Sequence, residues 1–272
     1  MVPTAAILLI GNELLSGKIR DQNGHFLATV LRRRGIRLLE MVTVADTLEE
    51  IGDALLRLLA RTPLVFTSGG VGPTHDDVTL PAIARATGRS LVRDPTMEAI
   101  LRAHFGGSIS PAALSMADVP EGTILRAERG WPVLRLDLGA AGADPKTRPT
   151  GIFADARIYI LPGIPELCQA KIEALEAIPG ELPDTGGWSL EVLHTDLDES
   201  DLTDPLNRVV ADFAEVEIGS YPRWTPDRTG HLRCIVRITF ETSNGPNTRA
   251  REARDALAAA LGPEALIEPP PT

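Results

Sequence analysis

The sequence predicts an α/β fold with a mostly parallel sheet, followed by a small two-layer α+β domain. Three observations carry this. Short apolar runs alternate with amphipathic helical patterns from Ala5 to Leu101, the order that produces a parallel sheet with helices on both sides. Glycines follow the first and third of those runs, at Gly11 and at Gly69, Gly70 and Gly72. Beyond the stretch Ile178 to Gly187, IPGELPDTGG, the order changes to strand, helix, strand, strand, helix. Domains are therefore expected over 1–178 and 188–268, with a linker between them.

Length and charge narrow the function. A chain of 272 residues is comfortable for two domains and a large core. Its net charge of −10, from 37 acidic and 27 basic residues, argues against a general nucleic-acid binder, which needs a basic surface. No apolar run reaches membrane-spanning length. Met1-Val2-Pro3-Thr4 leads straight into a strand with no basic leader region, so a cytoplasmic, soluble protein is expected. Cys168 and Cys234 lie far apart without metal-like spacing, and the five histidines form no ligand pattern. Two buried free thiols are expected.

The elements follow in order. Ala5 to Ile10 reads as a buried strand and Asn12 to Gly17 as a loop. Asp21 to Asn23 offers caps for a helix carrying Phe26, Leu27, Val30 and Leu31. Arg32, Arg33 and Arg34 close that helix and Gly35 ends it, so the arginines read first as a helix end and second as a phosphate patch. Ile36 to Val44 is a strand, and Thr47 with Glu50 forms a capping box for a helix with Ile51, Leu55, Leu58 and Leu59 on one face. Leu64-Val65-Phe66 leads into TSGGVGPTHDDVT (Thr67 to Thr79), and a helix from Val78 to Thr87 ends at Gly88. Asp94-Pro95 caps another helix, Pro111 to Met116 is helical, and Thr123 to Leu138 forms a strand pair turning at Gly130-Trp131-Pro132. Gly139 to Gly151 is an exposed loop. Ile158 to Leu161 is a buried strand, and Pro165 opens a helix bearing Leu167, Ile172 and Leu175. In the small domain the acidic run Asp196 to Asp204 reads as a solvated helix start, and Pro269 to Pro271 as a frayed end.

The chemistry concentrates in the Thr67–Thr79 stretch. Gly69, Gly70 and Gly72 let the backbone turn sharply and approach a ligand, and Pro73 stiffens the exit. A strand, a glycine loop and a helix start make an anion site. Asp76 and Asp77 would repel a phosphate unless a divalent cation stands between them. Asp77 also reads as a plain helix N-cap. Glu13, Asp46, Asp76 and Asp77 all fall at the C-terminal ends of strands, where such sheets bind ligands. Pro162 and Gly163, at a second strand-to-helix junction, face the same edge. His75 reads either as a base or as loop packing. No Ser-His-Asp or Cys-His pair is arranged for covalent catalysis, so the nucleophile would be water.

Four segments carry a resemblance: Ile10 to Asn23 (IGNELLSGKIRDQN), Asp46 after its strand, TSGGVGPTHDDVT, and Leu161 to Leu167 (LPGIPEL). Together they resemble the molybdopterin-binding (MoCF) superfamily of MogA, MoaB and the N-terminal region of competence/damage-inducible protein A. The strongest likeness is to the molybdopterin-binding-like domain of eukaryotic FAD synthase, and Ile218 to Trp224 (IGSYPRW) adds to it. The resemblance implies a three-layer α/β/α sandwich, a homo-oligomer (dimer or trimer), and a KH-like small domain. It implies a nucleotide or pterin as small-molecule ligand, and metal-dependent cleavage of a dinucleotide pyrophosphate such as ADP-ribose or FAD. A non-catalytic binding module and a molybdenum-cofactor assembly protein remain alternatives. Asp46 and Asp77 match the family's two critical aspartates, and Glu13 its first-loop glutamate. Implied phosphate and ligand contacts are Gly11, Glu13, Ser68, Gly69, Gly70, Gly72, Pro73, Thr74, Thr79, Pro162 and Gly163. The implied metal is magnesium, manganese or cobalt, held by Asp46, Asp76 and Asp77. The chain departs from the family at Asn12 and at Arg129-Gly130-Trp131-Pro132.

Overall fold

The computed structural model describes residues 2–126, 131–139, 150–226, 232–243 and 248–268. The chain divides into two compact units, Pro3–Asp184 and one from Thr185 onward.

The first unit opens on β1 (Thr4–Ile10), buried from Ala5 to Ile10. Ala5, Ile7 and Leu9 pack into one core, and Ala6, Leu8 and Ile10 into another. A strand covered on both faces has no polar side, which is why the run is continuously apolar. A single helical turn, α1 (Asn12–Leu15), follows where the sequence reads as a loop. In α2 (Asn23–Arg33) the Asp21 carboxylate accepts the Gly24 N–H at 3.1 Å. Gly35, at φ +71°, ends this helix, with the Ile36 N–H returning to Leu31 O at 2.8 Å. Arg33 and Arg34 pair with Glu176, so two of the three arginines are engaged away from any phosphate.

β2 (Arg37–Val44) precedes α3 (Leu48–Leu59), where Thr47 Oγ1 accepts the Glu50 N–H at 3.3 Å. Then come β3 (Leu64–Ser68), α4 (Thr79–Ala86) and β4 (Leu91–Arg93). Asp94 Oδ1 caps α5 (Pro95–Phe105) through the Thr96 and Met97 N–H groups. A short α6 (Pro111–Leu114) leads to β5 (Asp118–Pro120), which pairs with β4. β6 (Thr123–Arg126) and β7 (Val133–Asp137) are antiparallel. Their turn, including Gly130, lies outside the described residues, as does 140–149 of the expected loop. β8 (Arg157–Leu161) and α7 (Pro165–Glu176) complete the unit. Leu167 was expected on the buried face of α7 but is 48% exposed; Cys168, Ile172 and Leu175 are the buried residues.

The sheet order is β2-β1-β3-β8-β7-β6. The first four strands are mutually parallel, and β7 runs against both neighbours. α3, α4 and α5 pack on one face and α2 and α7 on the other. The result is the expected three-layer α/β/α sandwich.

The first unit reaches past Ile178. Leu182 is buried in its core. Glu181 is 3% exposed and pairs with Arg126 at 2.6 Å and Arg135 at 2.8 Å. Tyr159 donates its hydroxyl to Glu181 O at 2.9 Å. Burial alone raises the Glu181 carboxyl, but hydrogen bonds from Arg135 and Arg126 outweigh it and hold the group below its ordinary value. With the folded value below the unfolded one, this stabilisation is present at neutral pH and lost as pH falls through the folded value. A chain ending at Asp184 is therefore expected to melt cooperatively. One ending at Ile178 should lose about 3–5 kcal/mol from the broken buried pairs alone. Thermal denaturation of the two fragments checks this, and equal melting would remove the role given to Glu181.

The second unit contains β9 (Trp188–Thr195), α8 (Glu199–Asp212), β10 (Glu217–Pro226), β11 (Leu232–Ser243) and α9 (Thr248–Leu261). Its sheet, β10-β11-β9, is antiparallel. Val236, Ile238 and Phe240 pack with Leu202, Val209 and Leu257 from the helices, giving two layers. Glu199 and Asp201 occupy the first turn of α8, and Asp196 pairs with Arg233. The acidic run is a helix start, as its composition suggests. The tail residues 269–272 lie outside the described residues.

Candidate functional site

The parallel strands end level with one another: Ile10 pairs with Val44, Leu9 with Ser68, and Ser68 with Leu161. The loops leaving these ends line a cleft of about 620 Å³ in the first unit.

Gly69 is the point where three strand ends meet. Its N–H donates to Leu161 O at 3.1 Å. Its φ is +112°, and an added Cβ would stand 2.1 Å from Ile10 O. Gly163 comes so near that its own Cβ would stand 3.3 Å from Gly69 Cα. Only glycine fits the first position, for both backbone angle and space.

Two of the first three residues of α4 have no N–H free for an anion. Thr79 gives its N–H to Gly70 O at 3.0 Å and its hydroxyl to Gly69 O at 2.8 Å. Pro81 has no N–H to offer. Among the described residues, the N–H groups of Gly70, Val71 and Gly72 have no hydrogen-bond partner. Three successive free N–H groups on a cleft-lining loop are a donor set suited to an anion.

Asp77 is not the N-cap. That position falls to Val78, with no side-chain cap. Asp77 Oδ2 instead accepts from Thr74 N–H at 2.8 Å and from Thr74 Oγ1 at 2.5 Å. Thr74 Oγ1 also lies 2.6 Å from Asp76 Oδ1. One hydroxyl proton thus serves two carboxylates. The Thr74 hydroxyl bond is the main reason the exposed Asp76 carboxyl sits below its ordinary value. Asp46 Oδ2 accepts the Asn12 N–H at 2.7 Å, tying the loop after β2 to the start of α1.

Glu13, Asp46, Asp76 and Asp77 all line the cleft, as do Ser68, Gly69, Gly70 and Gly72. Pro73, Thr74, Pro162 and Gly163 line it too. Gly11 and Thr79 do not; they hold the loops behind it. His75 has a 97% exposed side chain and is not among the lining residues. Among the described residues, no Lys or Arg pairs with Glu13, Asp46 or Asp77. Nor do any three His, Cys, Asp or Glu side chains converge as a metal-binding group. Asp46, Asp76 and Asp77 therefore share a cleft without forming a ligand cage.

Other lining residues are missed by the sequence reading. Asn23 reads there only as a helix cap, but it is 5% exposed and reaches the cleft. Arg20 is the single Lys or Arg among the described lining residues. Ile19, Ile164 and Leu167 are apolar, about half exposed, and line the cleft as well. A polar residue opening an amphipathic helix beside a strand-end glycine loop was the available signal for Asn23. The apolar rim carries no periodic signal because it comes from separate loops and one helix start.

This fold and strand-end site belong to a recognisable class. The chain is a member of the family described as the probable molybdopterin binding domain, which matches residues 6–178. Residues 188–270 match the FAD synthase middle domain. A probable FAD synthase of Caenorhabditis elegans is 33% identical over 269 residues, covering 94% of this chain and 50% of that protein. The chain thus spans about half the length of the FAD-synthase-named relatives it matches. A protein of Thermococcus kodakarensis is 34% identical over 255 residues, covering 89% of this chain and 92% of its own. The crystal structure of the protein CinA, of unknown function, from Thermoplasma acidophilum matches with a TM-score of 0.55 and 30% identity, over 64% of this chain and 96% of that one. No helix among the described residues is long and apolar enough to cross a membrane.

Proposed function

We propose that the cleft binds a dinucleotide pyrophosphate of the ADP-ribose or FAD kind and hydrolyses it with the help of a divalent cation, releasing a nucleoside monophosphate. One observation carries this reading: carboxylates that follow three different strands line the same cleft as three free backbone N–H groups. The N–H groups suit phosphate oxygens, while the carboxylates repel them unless a cation intervenes.

The residues present fit a hard cation that arrives with its substrate. Their donors are oxygens only. A magnesium-type ion keeps several waters and takes one or two carboxylates plus substrate phosphates, so it needs no three-residue cage. Asp46 and Asp77 would hold it, with Asp76 beside them; manganese and cobalt suit the same donors. When bound, such an ion neutralises phosphate charge and lowers the pKa of a coordinated water. The chain does the rest. Gly70, Val71 and Gly72 hold the pyrophosphate, Thr74 fixes the Asp77 carboxylate, and Ile19, Ile164 and Leu167 offer apolar cover to a flat ring.

The relatives' names support a nucleotide as ligand. FAD synthase names a transferase; our reading assigns water as the acceptor, and the assay below distinguishes hydrolysis from binding alone. The family description favours a second reading, in which the cleft binds a pterin without cleaving it. A panel of FAD, ADP-ribose and NAD with magnesium, manganese or cobalt, assayed for AMP, separates the two. AMP release is expected to stop in excess EDTA and return on adding metal. Full activity in EDTA, with no metal retained, overturns the cation's role. Pterin binding without AMP release from any of the three favours the second reading.

A further inference from the structure

Among the described residues, Arg20 is the single Lys or Arg lining a cleft that Glu13, Asp21, Asp46, Asp76 and Asp77 also line. An arginine with so many acidic neighbours is expected to pair with one of them. This one makes no hydrogen bond or ion pair among the described residues. The carboxylates around it are met by other groups. Asp21 accepts the Gly24 N–H on both oxygens at 3.1 Å, and Asp46 accepts the Asn12 N–H at 2.7 Å. Asp76 and Asp77 share the Thr74 hydroxyl. Arg20 is therefore not spent as a counter-ion to the cleft wall.

The backbone that carries it is held on both sides. Ile19 donates its N–H to Glu13 O at 3.2 Å, and Asp21 is tied to the start of α2 through Gly24. Arg20 itself is exposed, so a fixed backbone presents a free guanidinium at the cleft. Charge says what it is kept for. A divalent cation offsets part of the negative charge of the lining, and a pyrophosphate diester brings as much again. The N–H groups of Gly70, Val71 and Gly72 supply only partial charges. Arg20 is left as the one full positive charge of the described lining that can meet phosphate oxygens. Its planar fork matches two oxygens of one phosphate, which a lysine cannot do.

We infer that Arg20 is a phosphate-binding residue of this cleft, its guanidinium donating to oxygens of the pyrophosphate. The inference rests on the cleft taking a pyrophosphate ligand. It assigns the charge that the glycine loop and a single cation leave unmatched. It also gives the loop between α1 and α2 a direct contact with the ligand.

Binding to the full chain is measured by calorimetry with magnesium present. The probes are the analogues of ADP-ribose and FAD whose bridging oxygen is a methylene group, so that turnover plays no part. Arg20→Gln should weaken binding roughly tenfold or more, the scale of a hydrogen bond to a charged group. Its melting temperature should match that of the wild type, because the side chain has no partner to lose. Arg20→Lys keeps the charge without the fork and should fall between the two. Lys18→Gln is the control: Lys18 is exposed on the same loop but does not line the cleft, and its loss should cost about twofold or less through screened charge alone. Equal losses in Arg20→Gln and Lys18→Gln would show a general field and no contact, and overturn the inference. An Arg20→Lys no better than Arg20→Gln does the same, since charge would then count for nothing. Unchanged binding in Arg20→Gln overturns it too and leaves the proposed function standing. Binding that depends on Arg20, with no AMP released from ADP-ribose or FAD, sinks the hydrolysis and leaves Arg20 in place. Absence of binding of either analogue to the wild type overturns both.

Discussion

Asn in place of Asp77 is expected to lower metal-dependent AMP release by about 10²–10³-fold, the scale seen when one preorganised electrostatic group is removed. The melting temperature of the metal-free chain should barely move. Asn retains one oxygen, which can still accept the Thr74 N–H now at 2.8 Å from Asp77 Oδ2. What it lacks is charge, and charge is what a cation requires. Asp77→Ala should also lose activity, but with a modest stability cost, because the Thr74 N–H then loses its acceptor. Asp46→Asn should parallel Asp77→Asn, since its amide oxygen can still take the Asn12 N–H. A purely structural Asp77 would leave turnover intact in the Asn variant. Steady-state kinetics at saturating metal distinguishes the two, and normal turnover by Asp77→Asn would end the catalytic assignment.

The second large effect is on folding. Gly69→Ala is expected to destabilise the first unit by several kcal/mol. The new Cβ would stand 2.1 Å from Ile10 O, which is backbone in the central strand β1 and cannot swing aside. A positive φ adds about 1–2 kcal/mol for any residue with a Cβ, and overpacking adds about 1–3 kcal/mol or more. Gly72→Ala is the control. Its Cβ would meet Asp77 Oδ2 at 2.6 Å, the end of a side chain that can move. Chemical denaturation should therefore show a large loss for Gly69→Ala and a small one for Gly72→Ala, with the latter losing activity. Equal stability would mean that the loop has room the structure does not show.

Much of this was legible in the sequence because the signals were local. The runs at Ala5–Ile10 and Leu64–Phe66 are apolar because both faces are covered. Thr47 with Glu50 and Asp94 with Pro95 mark helix starts by short-range chemistry. The cleft's glycines and carboxylates were legible because strand ends in a parallel sheet converge on one edge. What was not legible depended on distant partners. Asn23 is made a lining residue by Ser68 and by Gly163, 140 positions away. The hold of Glu181 on the first unit depends on Arg126 and Arg135, so the segment read as linker from its Pro and Gly content. Asp77 read as a cap because nothing in the sequence says that Thr74 turns back to meet it.

The pairing of β3 with β8 has a consequence for how the protein comes into being. Ser68 lies beside Leu161, and everything between them must be made before the two can meet. Closing a loop of about 90 residues costs roughly 4 kcal/mol of chain entropy. β1, β2 and β3 pair over much shorter separations, so they can assemble while the ribosome is still at work. The Gly163 side of the cleft cannot. A ligand of this cleft therefore finds no complete seat on the nascent first half. It can reward the finished sheet, but it cannot guide the early steps that build it.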